Sequence, residues 1–143
     1  MAMRYFATSA TIHAASDVVW RLLTDAAGYP EWNRTVDRVE GRISLGERIT
    51  VRVKAAPGRA FPVTVATFEA PTRMIWRGGM PLRLFVGTRT FEVRSTGANT
   101  VEFSMREEYT GLLAPLITKS IPDLQAAFDE FSACLKARAE GRN

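Results

Sequence analysis

Two periodicities divide this chain. From about Thr35 to Tyr109 apolar and polar positions alternate with period two and are broken by Gly and Pro. Near the C-terminus, Ile121, Leu124, Phe128, Phe131 and Leu135 recur at the spacing of one helical face. The alternation is clearest where Ile49, Val51 and Val53 are set against Arg48, Thr50, Arg52 and Lys54, the pattern of a strand buried on one side. Strands are expected over about Val36–Arg42, Glu47–Ala55, Phe61–Ala70, Arg73–Arg77, Leu82–Ser95 and Thr100–Tyr109. A first strand, Tyr5–His13, precedes them with Phe6, Thr8, Ala10 and Ile12 on one face. Turn residues separate the strands, among them Ala56-Pro57-Gly58, Gly78-Gly79-Met80-Pro81 and Thr96-Gly97-Ala98-Asn99.

After the first strand, Asp17–Thr24 reads as a short helix capped by Ser16, with Val19, Trp20 and Leu23 on its apolar side. Tyr29-Pro30-Glu31-Trp32-Asn33 predicts a second short helix or a tight loop. Gly111–Ile117 opens a helical segment, and Pro122 restarts or kinks it ahead of the long helix. Together these elements predict an α+β helix-grip: a curved antiparallel sheet of about seven strands around a long C-terminal helix, with two short helices after the first strand. Sheet and helix both carry bulky apolar side chains, so they can enclose a cavity.

Composition narrows the function classes. The 143 residues are read as one domain, 1–143, long enough to bury a core without staples. An apolar fraction of 46% with 24% charged residues is ordinary for a globular protein. The single cysteine, Cys134, has no internal partner and reads as a small buried hydrophobe beside Phe131 and Leu135. No apolar run reaches the roughly 18 residues of a membrane span, so no integral membrane association is expected and a cytoplasmic location follows by default. The net charge is +4, but Arg38, Arg42, Arg48, Arg52, Arg83, Arg89 and Arg94 are scattered along the strands rather than clustered. No nucleic-acid partner is expected from that scatter.

The segment Ile12-His13-Ala14-Ala15-Ser16-Asp17-Val18-Val19-Trp20-Arg21-Leu22-Leu23-Thr24-Asp25, followed by Tyr29-Pro30-Glu31-Trp32-Asn33, resembles the opening of the START-like (SRPBCC) superfamily. The likeness is to its bacterial polyketide cyclase/dehydrase-like members. Ile75-Trp76-Arg77-Gly78 and Glu107-Glu108-Tyr109-Thr110-Gly111-Leu112-Leu113 also look like that family, and the resemblance covers essentially the whole chain. It implies a helix-grip fold with a hydrophobic cavity that relatives use for lipids, sterols, polyketides or other apolar compounds. The sequence departs from the family at Arg34, where many relatives have proline, and at Arg89, which relatives often fill with histidine. Acid–base work by a strand histidine is therefore not carried over; Arg89 either offers the cavity a fixed cation or faces solvent.

No catalytic constellation emerges from the residues. The one histidine, His13, ends the first strand and reads as a surface or loop contact. One His and one Cys make no metal site, and no cofactor is expected. Glu107 and Glu108 point to opposite faces; Glu107 shares the face of Val101, Phe103 and Met105 and is placed to touch a ligand or to pair at the rim. Asp129 and Glu130 read as solvated, and Gly78-Gly79 as a hairpin rather than a nucleotide loop. The expected cavity residues are Trp32, Trp76, Phe85, Arg89, Phe91, Phe103, Glu107, Ile117, Leu124 and Phe128, with Phe131 and Leu135 as closed core. The expected function is binding of a small hydrophobic or amphipathic ligand, lipid- or polyketide-like, by a monomer or homodimer. One or two polar groups, Arg89, Glu107, Tyr109 or Thr110, would orient that ligand; the alternatives are a polyketide cyclase or dehydratase using the same cavity, and a protein-interaction or chaperone-regulator module. The last would show an exposed apolar patch.

Overall fold

A computed structural model describes residues 4–141. β1 (Arg4–Ile12) leads into α1 (Ser16–Thr24) and α2 (Tyr29–Trp32). The strands β2 (Val36–Glu40), β3 (Arg48–Val53), β4 (Phe61–Glu69), β5 (Arg73–Gly79), β6 (Val86–Gly97) and β7 (Thr100–Thr110) follow, then α3 (Ala114–Ile117) and α4 (Gln125–Ala139). The strands form one antiparallel sheet in the order β1-β7-β6-β5-β4-β3-β2. Each strand after β2 pairs with its predecessor, and β1 closes on β7. This is the helix-grip arrangement, with α4 held against the concave face.

Alternation decides which side chains meet α4. On β1, Phe6, Thr8 and Ile12 are buried, and on β7 so are Val101, Phe103, Met105 and Tyr109. Phe131 of α4 sits among the rings of Trp32, Tyr29, Phe91 and Phe103, with centroid distances of 5.6, 6.3, 6.2 and 6.3 Å. A row of polar contacts fixes α4 along β1. Gln125 Nε2 donates to Ala7 O at 2.7 Å, Lys136 Nζ to Thr11 O at 2.6 Å, and the Thr8 and Ser132 hydroxyls lie 2.8 Å apart. The two carbonyl contacts supply partners to an edge strand that would otherwise present open acceptors.

Three local expectations are corrected. Ser16 is the first residue of α1, not its cap: Ala15 holds that position without a side-chain bond. Residues 82–85 do not begin β6. Pro81–Arg83 form a 3-10 turn in which Leu82 and Arg83 have φ of 59° and 56°, so the strand starts only at Val86. The final helix begins at Gln125, whose N–H is accepted by Asp123 Oδ1 at 3.0 Å, so Ile121 and Leu124, expected on its apolar face, lie before its first turn.

Candidate functional site

Between the concave sheet and α4 lies a cavity of about 730 Å³. One rung of the sheet crosses it. Trp76 on β5 is in register with Arg89 on β6, Arg89 with Glu107 on β7, and Glu107 with Phe6 on β1. Phe128 of α4 closes the rung from above, with its ring 5.7 Å from that of Phe6 and 4.8 Å from the Arg89 guanidinium carbon. The next inward rung holds Gly78, Gly87 and Tyr109 in register. Two glycines there remove side chains from the cavity wall. At Gly78 no other residue fits, because a Cβ would come within 2.6 Å of Pro62 O.

The polar centre of the cavity is a chain of three side chains. Arg89 Nε donates to Glu107 Oε1 at 2.7 Å, and Tyr109 Oη donates to Glu107 Oε2 at 2.5 Å. The Arg89 and Glu107 side chains are 17% and 18% exposed, so the pair is sheltered without being sealed. Burial, reinforced by the neighbouring Glu107 charge, pushes the Tyr109 phenol above its ordinary value. It therefore stays protonated at neutral pH and acts as a donor. Deeper in the core, Tyr29 is likewise shifted upward, chiefly by burial, and gives its proton to Leu23 O at 2.7 Å. The Trp76 indole N–H is buried and has no partner, although Trp76 itself lines the cavity.

The structure brings together Trp76, Phe85, Arg89, Glu107, Ile117, Leu124 and Phe128 on the cavity wall. Trp32, Phe91 and Phe103 stand behind that wall: Phe91 packs on Trp76 at 4.7 Å, while Trp32 and Phe103 pack on Phe131. Phe131, expected as closed core, is 2% exposed yet also reaches the lining. Its ring serves both because the cavity floor is itself the top of the aromatic cluster. Sequence reasoning missed Val51, Val53 and Val63, although the alternation of β3 and β4 placed them on the inward face. It also missed Glu130, which lines the cavity and is not free in solvent: Arg34 Nε donates to it at 2.7 Å, and it accepts from Cys134 Sγ at 3.4 Å. Burial pushes the Cys134 thiol up, which favours the thiol over the thiolate.

His13 is exposed, and its backbone N–H meets Glu140 Oε2 at 2.7 Å. Among the described residues no three His, Cys, Asp or Glu side chains stand together as metal ligands. Among them, too, no helix is long and apolar enough to cross a membrane.

A family model described as polyketide cyclase/dehydrase and lipid transport matches residues 3–140. A search of curated proteins returned no match. Solved structures share the fold at low identity. A hypothetical protein from Helicobacter pylori is 15% identical with a TM-score of 0.77, over 95% of this chain and 88% of that one. A START superfamily protein from Mycobacterium smegmatis is 10% identical with a TM-score of 0.69, over 97% and 99%. The Zhui aromatase/cyclase from a Streptomyces species is 14% identical with a TM-score of 0.71, over 97% and 94%.

Proposed function

The chain belongs to the polyketide cyclase/dehydrase and lipid transport family, and from that premise we propose that it holds one small amphipathic ligand between the sheet and α4. The observation that carries this reading is the composition of the cavity: an apolar wall of valines and aromatic rings around one sheltered Arg89–Glu107–Tyr109 chain. A volume of about 730 Å³ suits a lipid- or polyketide-sized molecule. Burying about 300 Å² of apolar ligand surface at roughly 25 cal/mol per Å² supplies around 7 kcal/mol before the costs of association.

The polar chain would set the ligand's direction. Arg89 uses Nε for Glu107 and retains its two terminal nitrogens as donors. They favour a ligand with carbonyl or carboxylate oxygen at the Arg89 end and an apolar body along Leu124, Ile117 and Val53. Native mass spectrometry of the purified protein, followed by solvent extraction and titration with an environment-sensitive fatty-acid probe, tests this. A ligand-free protein that takes up no probe would overturn it.

A second reading, a cyclase or dehydratase, is favoured by the same chain, since three ionisable groups stand within hydrogen-bonding reach inside the cavity. A shaped cavity lowers the entropic barrier to folding a reactive chain, and the terminal nitrogens of Arg89 would stabilise a developing enolate oxygen, whereas the one proton of Tyr109 is committed to Glu107. Glu107 is a poor base, because both its oxygens are already engaged. Incubation with a poly-β-carbonyl thioester analogue separates the readings. Faster cyclisation than in buffer, lost in Arg89→Met with probe uptake retained, supports an enzyme; unchanged cyclisation supports carriage.

A further inference from the structure

At the cavity mouth two backbone segments are tied together and raise leucines into solvent. Leu113 N donates to Leu84 O at 2.7 Å, and a Cβ on Gly111 would lie 2.7 Å from the carbonyl oxygens of Arg83 and Leu84. From this junction Leu82 projects 90% exposed, Leu112 80% and Leu116, one turn on, 68%. Leu82 and Arg83 both hold left-handed backbone conformations, which disfavour side chains and persist here at the tip of the lip. The lip leads directly into the cavity, because Gly79, Phe85 and Ile117 flank it and line the wall. On the neighbouring strand Phe61 also lines the cavity, 37% exposed, with the Arg59 guanidinium 5.7 Å from its ring centroid.

The segments that carry these side chains are charged with one sign, the cavity's own acids, Glu107 and Glu130, being paired with Arg89 and Arg34. Residues 78–87, 109–122 and 54–63 all contribute to the cavity mouth and contain Arg83, Lys119, Lys54 and Arg59 but no Asp or Glu. The next acid along the chain, Asp123, is turned to its own helix start. We propose that this lip docks on an anionic lipid bilayer surface, with the leucines entering the headgroup boundary and the cations pairing with lipid phosphates. Protruding leucines ringed by cations match such a surface better than a protein groove, which would place acids opposite the cations and cover the leucines in one fixed shape. The consequence for the cavity reading is a route: an apolar ligand would pass between bilayer and cavity through the mouth without crossing water. Docking itself does not depend on that reading, since vesicle binding and cavity occupancy are separate measurements.

Co-sedimentation of the full chain with vesicles of phosphatidylglycerol and phosphatidylcholine, or of phosphatidylcholine alone, tests the proposal. Binding is expected to the anionic vesicles and to fall on the order of tenfold on the neutral ones. Leu82→Ser with Leu112→Ser should lower anionic-vesicle binding on the order of tenfold while leaving the melting temperature and fatty-acid probe uptake unchanged, because both side chains lie outside the core. Arg83→Gln with Lys119→Gln should remove most of the preference for anionic vesicles. Equal binding to both vesicle types, no binding, or vesicle binding unchanged in the leucine variant would overturn it. So would light scattering that shows a dimer dissociated by the leucine substitutions, which would assign the lip to a second copy of the chain.

Discussion

Arg89 and Glu107 face each other directly across the β6–β7 ladder, on the concave side, with Arg89 Nε 2.7 Å from Glu107 Oε1. The pairing places the two charges of the cavity centre on the two longest strands, where backbone bonds on both sides hold them in register. Neither charge is free to be lost alone. Glu107→Gln would leave the Arg89 guanidinium sheltered without its counter-ion, at a cost of about 2 kcal/mol. Replacing both, as Arg89→Met with Glu107→Leu, should cost less than the two single losses together, because neither ion is then left unpaired, although Tyr109 loses its acceptor. Urea denaturation of Arg89→Met, Glu107→Leu and the double variant, read as a cycle, checks the coupling. Additive losses would mean that the pair does not interact in solution.

The two shifted tyrosines predict an alkaline limit to stability. Tyr29 and Tyr109 both have phenols raised above the ordinary value by burial. In the unfolded chain each loses its proton near pH 10, while the folded state keeps it. The folded state then holds more protons, so stability is full below about pH 10 and falls as pH rises through and beyond that value. Each tyrosine contributes a slope of at most about 1.4 kcal/mol per pH unit. Tyr29→Phe should cost about 1 kcal/mol near neutrality through the lost bond to Leu23 O, and should reduce the alkaline slope. Urea midpoints measured across this range, with tyrosinate absorbance as the titration readout, decide it.

The buried hydroxyl pair between β1 and α4 makes a third test. Thr8 and Ser132 are 9% and 5% exposed and bond to each other at 2.8 Å; Ser132 also reaches Asp129 O at 3.2 Å. Ser132→Ala strands the Thr8 hydroxyl in an apolar setting and should cost about 1–2 kcal/mol. Thr8→Val with Ser132→Ala should recover most of that loss, because no polar group is then left unpaired. Thermal melts of both variants check the sign. A double variant less stable than the single one would show that the hydroxyls serve something other than each other.

The inward rows of the sheet were legible because period-two alternation carries its own meaning: Ile49 and Val51 had to share a face, and Glu107 had to follow Met105. The long helix was equally legible from its apolar spacing. Its start was not, since Ile121 and Leu124 fit the helical spacing while the helix begins only after them, at Gln125, whose N–H is accepted by Asp123. Leu82–Leu84 read as strand because apolar residues in sequence do not reveal left-handed φ angles. The Arg89–Glu107 contact needed the register of two strands, which depends on the turn at Gly97 and is fixed only in three dimensions. Cavity shape was the least legible feature. It depends on where side chains are missing, as at Gly78 and Gly87, and periodicity reports only where they are present.

Phe128 and Phe131 share one face of α4, and both reach the cavity, but they stand in different surroundings. Phe131 packs among four aromatic rings, whereas Phe128, equally buried, meets the Phe6 ring and the Arg89 guanidinium. Phe131→Ala removes a ring from the centre of that cluster and should cost about 3–5 kcal/mol. Phe128→Ala should cost less, because it removes one ring contact where Phe131→Ala removes four. It also removes the ring that lies against Arg89, where the stacked cation contributes about 0.5–1 kcal/mol. The guanidinium would then turn more freely, so probe uptake should change in Phe128→Ala even where folding is little affected. Thermal melts and fatty-acid probe titrations of the two variants separate the roles. Equal destabilisation with unchanged uptake would mean that α4 caps the sheet at both positions alike and that Phe128 is no part of a binding wall.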